Sequence, residues 1–248
     1  MWDKLKQIKL GTWISLLFFI AVICTLQYGG FKLYKGLTNE QSLPLTSLIL
    51  TGHKEHVPED AVRTILIAQK DRLNFFTLEI SQIQQQLEEL PWVYSASIRK
   101  RWPDTLKIHI VEQPIVATWN DHKLLNRFGE IIDADPSTAL FPLVALYGED
   151  NATNDVLEIY IKIKQLLKVN NFKIASLKSD KRQSTDVVLE NGIGLRLGQE
   201  QKLDRIQRFL SVYPLIEKKY DISTISYVDL RYDTGFAIGW NEKELEVN

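Results

Sequence analysis

The sequence predicts an α+β protein that has one N-terminal transmembrane helix followed by two folded units. Three observations lead to this prediction. An uncharged apolar run of 18 residues lies near the N-terminus. Residues 43–112 follow the order strand, helix, helix, strand, strand. Residues 113–241 contain mainly strand-like segments with two helical stripes between them. The composition, with 25% charged and 45% hydrophobic residues, is that of a chain that folds.

The apolar run from Gly11 to Tyr28 is long enough to cross a bilayer. At about 1.5 Å per residue, it reaches about 27 Å as a helix. Trp13 and Tyr28 stand near its two ends, where aromatic residues favour the membrane interface. A cleaved signal peptide is the alternative, but no A-x-A-like cleavage site follows the run. We therefore expect an uncleaved membrane anchor.

Lysine residues on the two sides of this run predict its orientation. Lys4, Lys6 and Lys9 precede it, whereas Lys32 and Lys35 follow it. Since positive charge is enriched on the cytoplasmic side, we expect the N-terminus inside and the bulk of the chain outside. The expected boundaries are a cytoplasmic tail at 1–10, the transmembrane helix at 11–28, a linker at 29–42, a first folded unit at 43–112, a second at 113–241 and a C-terminal tail at 242–248.

The first folded unit is predicted to be a small α+β domain. Residues 45–51 form a short strand, and two segments with apolar residues at helical spacing follow, the second ending before Pro91. Residues 92–101 and 105–112 are predicted strands, and the alternating polarity is clearest in the second. We expect the two helices to cover one face of the sheet.

The second folded unit is predicted to be a mostly antiparallel β domain with flanking helices. Asn191-Gly192 is a strong hairpin signal, and residues 120–122 resemble another short turn. Helical stripes occupy residues 156–167 and 203–213, and Pro214 is expected to perturb or end the second helix. The predicted strands span 115–119, 123–125, 128–132, 140–146, 173–179, 185–189 and 194–197.

A hairpin is the last predicted element. Residues 225–232 alternate as a strand, Asp233-Thr-Gly235 forms a tight turn with Gly235 at positive φ, and residues 236–240 form the second strand. In the second strand one face is apolar, whereas Gly235, Ala237 and Gly239 leave nearly bare backbone on the other. Two interpretations stay open at this point. The hairpin closes the domain with its tryptophan in the core, or its edge accepts a strand from a partner.

The sequence offers no convincing catalytic, metal or cofactor site. His53 and His56 are spaced as a metal-binding pair, but no third ligand lies nearby. Asp133 and Asp135 have no neighbouring nucleophile or histidine. The net charge of −1 provides no basic field for nucleic acid. We therefore expect a protein that is not an enzyme, with no cofactor, no metal, no nucleic acid and no small-molecule substrate.

Several motifs resemble one known family. Residues 90–93, Leu-Pro-Trp-Val, together with residues 97–112 resemble the POTRA domain of the FtsQ/DivIB family of bacterial cell-division proteins. The second unit is similar to the β domain of that family. The motifs that carry this similarity are residues 146–148, 195–198, 213–214, 226–235 and 239–240.

This resemblance implies a non-enzymatic scaffold of the divisome that joins FtsB and FtsL and links them, among other divisome proteins, to septal peptidoglycan synthesis. It implies a single-pass type II protein of the inner membrane, with its bulk in the periplasm and enriched at the septum. In the family the last strands of the β domain accept a C-terminal strand of FtsB, which favours the docking interpretation of the hairpin. A POTRA-bearing assembly or secretion factor and a membrane-tethered cell-wall enzyme are the alternatives.

The resemblance also implies which residues bind the partner. Thr234 stands where the family often has serine, so the hydroxyl is kept and a methyl group is added. Arg182 is the candidate for pairing with an acidic residue of the partner. The implied partner-binding residues are Arg231, Tyr232, Thr234, Gly235, Trp240 and Arg182.

Overall fold

The computed structural model describes residues 10–38, 46–52, 55–68 and 75–241. The lysines before the apolar run, residues 43–45 of the first predicted unit, His53 and the predicted tail at 242–248 lie outside these ranges. The chain divides into two compact units, residues 1–111 and residues 112–248.

The apolar run forms helix α1 (Leu10–Thr38). Within it, the 26 residues Thr12–Leu37 are long and apolar enough to cross a membrane. The helix continues ten residues past the predicted end at Tyr28, so residues 29–38 of the predicted linker are helical. Gly29 and Gly30 do not break it, because a glycine costs a helix only about 1 kcal/mol.

The first unit has the predicted order of elements. A strand, two helices and two strands follow one another: β1 (Ser47–Gly52), α2 (Glu59–Ala68), α3 (Ile80–Glu88), β2 (Val93–Arg101) and β3 (Thr105–Glu112). The three strands form a sheet in the order β1-β3-β2, with β1 parallel to β3. Val62 and Leu66 of α2 and Ile83 and Leu87 of α3 are buried in one core with alternate residues of β2 and β3.

The second unit is built on one mixed sheet. In the described part of the chain this sheet has nine strands, in the order β12-β11-β10-β9-β8-β7-β4-β5-β6. Five neighbouring pairs are antiparallel and three are parallel. The strands are β4 (Ile115–Trp119), β5 (Lys123–Asn126), β6 (Ile131–Ile132), β7 (Val144–Tyr147), β8 (Ile174–Ser179), β9 (Thr185–Leu189), β10 (Gly194–Gly198), β11 (Ile225–Asp229) and β12 (Ala237–Trp240).

Two predicted strands are shorter than expected. The strand predicted at 128–132 is reduced to β6, because the Asn126 side-chain oxygen accepts hydrogen bonds from the N–H groups of Phe128 and Glu130 and holds a turn there. Gly129 in this turn has φ of +79°. The strand predicted at 140–146 begins only at Val144, after Pro142. The positive φ of Gly129 and the proline at position 142 therefore limit how far each strand extends.

Helices α4 (Thr153–Lys168) and α5 (Lys202–Lys219) pack against each other and against one face of this sheet. Of the two effects predicted for Pro214, the end of the helix is wrong, because α5 runs on to Lys219. Below the helices, one row of apolar side chains crosses seven strands in register. The row consists of Trp119, Leu146, Leu177, Val187, Leu195, Val228 and Ile238. All are buried except Ile238, which is half-buried where the row reaches the sheet edge.

Candidate partner-binding site

Strand β12 forms an edge of the nine-stranded sheet and pairs with β11 alone among the described strands. Its register places Val228 opposite Ile238 and Asp229 opposite Ala237. Only one side of the β12 backbone is therefore used for pairing within the sheet. An edge of this kind presents N–H and C=O groups to a further strand.

The connection between β11 and β12 is longer than predicted. Strand β11 ends at Asp229, and residues 230–236 form a loop instead of a strand end followed by a tight turn. We call residues 230–236 the docking loop. Gly235 does not adopt the predicted positive φ. Tyr232 and Thr234 are exposed on this loop and do not belong to a strand.

Two arginines of α5 hold the docking loop. Arg208 donates to the carbonyl oxygens of Leu230 at 2.6 Å and Asp233 at 2.8 Å. Arg205 donates to the carbonyl of Arg231 at 3.2 Å and to the carbonyl of Leu197 in β10. Because these bonds satisfy main-chain acceptors that a tight turn would satisfy internally, the loop keeps its open form.

An ion pair fixes the first half of the docking loop. The Asp229 carboxylate accepts hydrogen bonds from the Arg231 main-chain N–H at 3.1 Å and from Nε and Nη2 of the Arg231 guanidinium, the latter at 2.6 Å. The side chain of Asp229 is only 5% exposed and that of Arg231 is 53% exposed. These bonds hold the pKa of Asp229 below its ordinary value and raise the pKa of Arg231.

The sheet face opposite the helices carries charges that alternate in sign from strand to strand. In register, Lys178 lies opposite Asp186, Asp186 opposite Arg196, and Arg196 opposite Asp229. Opposite charges on neighbouring strands stabilise their pairing. This row ends at Ala237 on β12, which carries no charge.

The outer face of β12 is not bare, contrary to the prediction. The ring of Tyr227 in β11 lies over Gly239, and the guanidinium of Arg196 lies 3.7 Å from the centre of that ring. A Cβ at Gly239 would be 2.1 Å from Cε1 of Tyr227. The glycine therefore serves packing within this chain, by giving room to the aromatic ring.

Two aromatic side chains near the edge are solvent-exposed. Tyr232 on the docking loop is 57% exposed, and Trp240 at the end of β12 is 41% exposed. Trp240 makes an edge-on contact with Tyr220, with 4.9 Å between ring centres. The interpretation that this tryptophan packs in the core is therefore wrong. Large exposed aromatic residues at a sheet edge are typical of interface anchors.

Arg182 lies on the turn between β8 and β9, where the Asp180 carboxylate accepts hydrogen bonds from the N–H groups of Arg182 and Ser184. Arg182 and Arg231 line the same depression, together with Arg205 and Gly198. Gly198 has φ of +70° and lies beneath the Arg231 side chain. The structure thus brings Arg182 to the same surface as Arg231.

The six predicted residues do not form one compact cluster. Arg182, Arg231 and the docking loop lie at the Ala237 end of β12, whereas Trp240 lies at its other end. Sequence reasoning missed Arg205 and Arg208, which shape the loop. Their spacing of three residues on a helix, which puts two arginines on one face, was the only available signal.

Other residues considered above as catalytic or metal-binding candidates make contacts within the fold. The Asp135 carboxylate accepts a hydrogen bond from the Ser137 N–H at 2.8 Å, which lowers the pKa of Asp135. His56 stacks on Trp92 with 3.9 Å between ring centres. Within the described ranges, no group of three or more histidine, cysteine, aspartate or glutamate side chains is arranged to hold a metal ion.

Comparison with known proteins supplies the family. The family model described as "Cell division protein FtsQ/DivIB, C-terminal" matches residues 117–231, and "POTRA domain, FtsQ-type" matches residues 43–113. The chain is 39% identical to Cell division protein FtsQ of Shewanella oneidensis, over 96% of this chain and 90% of the relative. It is 36% identical to Cell division protein FtsQ of Escherichia coli, over 91% and 83% of the two chains. These matches confirm the resemblance seen in the motifs, and the chain belongs to the FtsQ/DivIB family of bacterial cell division proteins.

Proposed function

We propose that this protein is a non-enzymatic, membrane-anchored scaffold of the divisome that joins FtsB and FtsL and links them to septal peptidoglycan synthesis. Family membership and the apolar helix α1 support this role at the inner membrane. The lysine distribution supports a cytoplasmic N-terminus and a periplasmic bulk. The family matches at 43–113 and 117–231 support the two folded units predicted at 43–112 and 113–241. Enrichment at the septum follows from a role in division.

The proposed contact is a partner strand added to the free edge of β12. Each main-chain hydrogen bond adds only about 0.5–1.5 kcal/mol net, so affinity accumulates over several residues of the strand. The incoming strand would also extend the apolar row that ends at the half-buried Ile238. A strand with an apolar residue at that position is therefore expected to bind more tightly than a strand with a polar residue there.

Side chains around the edge supply anchors for this strand. Tyr232 and Trp240 are exposed aromatic residues at its two ends. Arg231 keeps a half-exposed guanidinium, but Asp229 already neutralises part of its charge. Arg182 is exposed at the same depression, with its main chain fixed by Asp180, and is suited to an acidic residue of the partner. Thr234 and Gly235 complete the proposed contact surface on the docking loop.

The edge position of β12, flanked by exposed aromatic residues, is the observation that carries this proposal. The FtsQ-type match over both units favours it over a POTRA-bearing assembly or secretion factor. The relatives are named as cell division proteins, which favours a scaffold over a cell-wall enzyme.

Calorimetry on the full chain in lipid nanodiscs tests the proposal. A synthetic C-terminal segment of FtsB is titrated into the parent protein and into Trp240→Ala and Tyr232→Ala, with circular dichroism as the check of folding. Tyr94→Ala, at an exposed tyrosine of the first unit, is the matched control. We expect saturable binding that the two edge variants weaken by about tenfold or more and the control keeps. A folded parent that does not bind, even with FtsL present, would refute the proposal.

A further inference from the structure

A second surface of the β domain has the chemistry of a peptide-binding groove. It lies where strands β4, β7 and β8 begin, next to the C-terminal half of α4. Its volume is about 730 Å³. The first residues of these strands, Ile115, Val144 and Ile174, line it together with Phe172, and we call these four apolar residues its floor. All of these residues belong to the second unit.

Two large apolar side chains in or next to the groove are exposed to solvent. Phe141, which lines it, is 50% exposed, and the preceding Leu140 is 65% exposed. Pro142 follows them, so this apolar segment comes before strand β7 and is not covered by it. Adjacent exposed residues of this size mark interaction sites more often than scattered single ones do.

The charged residues that line the groove are mostly positive. Lys164 and Lys168 of α4 and Lys173 before β8 line it, against the single acidic residue Glu190. Glu190 lies 3.4 Å from Lys173, so Lys164 and Lys168 carry the remaining two positive charges. The Lys164 ammonium lies 5.2 Å from the centre of the ring of Tyr160, which also lines the groove. The whole chain has a net charge of −1, so this concentration of lysines is local.

We propose that this groove binds an acidic peptide segment of another protein, with a large apolar side chain on the floor and carboxylates facing Lys164 and Lys168. Charge complementarity favours this occupant, because an apolar segment alone would leave both lysines unpaired. The contact is separate from the β12 edge, since none of the groove-lining residues belongs to β11, β12 or the docking loop. It therefore gives the protein a second binding surface that does not depend on the proposed strand addition.

Fluorescence anisotropy with the full chain in lipid nanodiscs tests this proposal. The probe is the labelled peptide Gly-Glu-Asp-Leu-Phe-Glu-Asp-Gly. One control peptide has Ser-Ser in place of Leu-Phe, and another has lysine in place of every acidic residue. We expect saturable binding of the probe, weakened about tenfold or more by either change to the peptide. Equal binding of the basic peptide would overturn the proposal, and so would absence of probe binding to the folded protein.

Matched variants locate the binding. The double variant K164E/K168E and the single variant Phe141→Ser are expected to weaken probe binding about tenfold or more. Lys162→Glu, on the same helix but outside the groove, is expected to leave it unchanged. Trp240→Ala is also expected to leave it unchanged, which separates this proposal from the strand addition. Binding that survives K164E/K168E would refute the assignment. If the probe does not bind and the protein self-associates in a way that K164E/K168E abolishes, the groove binds a second copy of the chain. That outcome would refute the proposal of an acidic peptide.

Discussion

The ring of Tyr227 lies over the main chain of Gly239, across the pair formed by β11 and β12. Arg196 stacks on the ring at 3.7 Å, so the three residues link β10, β11 and β12 on the outer sheet face. A strand that has one neighbour depends on such side-chain contacts for its position. The proposed acceptor edge is therefore stabilised from the face that the helices do not cover.

Gly239→Ala is expected to displace the Tyr227 ring and weaken β12. Its Cβ would be 2.1 Å from Cε1 of Tyr227, and overpacking of this kind costs about 1–3 kcal/mol. Urea unfolding and binding of the FtsB segment measure the effect. For urea unfolding, Gly235→Ala is the control, because nothing lies within 4 Å of that position and its φ is not positive. For binding, Tyr94→Ala in the first unit is the control. Adding Tyr227→Ala is expected to relieve part of the Gly239→Ala defect, and simple additivity would contradict the contact.

Arg208→Ala is expected to weaken binding of the FtsB segment by about tenfold, or ~1.4 kcal/mol. The substitution leaves the carbonyls of Leu230 and Asp233 without their donor, so the docking loop loses its fixed form. Calorimetry gives the affinity, and hydrogen exchange of residues 230–236 reports the loop. Arg208→Lys, which retains a donor, is expected to recover part of the affinity. Lys218→Ala on the same helix is the control, and an Arg208→Ala protein with parent affinity would exclude this role.

Asp229→Asn is expected to lower the free energy of unfolding by about 1–2 kcal/mol at neutral pH, because it weakens a charged hydrogen-bonded pair that is half-exposed on the arginine side. The folded pKa of Asp229 lies below the ordinary 3.8. The pair therefore contributes fully above the ordinary value, and its contribution is lost as the pH falls through the lowered pKa.

Urea unfolding of the parent and Asp229→Asn from neutral to acidic pH measures this difference. We expect it to be constant down to about pH 4 and to shrink below. Asp233→Asn, on the same loop, is the control, because the structure gives its carboxylate no hydrogen bond to a described residue. A difference that grows as the pH falls would contradict the assigned sign.

Pro214→Ala is expected to stabilise the protein, by less than about 3 kcal/mol. Proline inside α5 has no N–H for the carbonyl of Leu210, and the helix nevertheless continues to Lys219. The Pro214 side chain is exposed, so alanine leaves no cavity. Urea unfolding measures the change, with Leu215→Ala as an exposed control on the same helix. A destabilised Pro214→Ala protein would show that the ring makes a contact more valuable than the missing bond.

Local patterns predicted most of the elements but not how distant segments meet. Alternation correctly predicted the strand that forms β11, and Asn191-Gly192 correctly marked the β9–β10 hairpin. The parallel pairing of β10 with β11 could not be predicted from the alternation of apolar and polar residues, because this pairing depends on the crossover through α5.

The docking loop shows the same limit within the candidate site. Asp233-Thr-Gly235 has the composition of a tight turn, and composition alone favours that turn. Arg208, 22 residues before Leu230, holds the carbonyls that make the longer loop stable. The family resemblance could name Tyr232 and Trp240 as candidates, whereas local sequence patterns could not predict the backbone that positions them.

The β11–β12 pair is bonded to the rest of the described sheet on one side alone, through three residue pairs in register from Gly194 opposite Tyr227 to Arg196 opposite Asp229. A two-stranded hairpin is marginally stable in water by itself. The pair is therefore expected to open as one cooperative unit at a lower free energy than the interior strands β7 to β10. A bound partner strand would slow that opening. Occupancy of the edge would therefore protect this region from proteolysis, whereas in the free protein it is expected to be among the first regions to be cut.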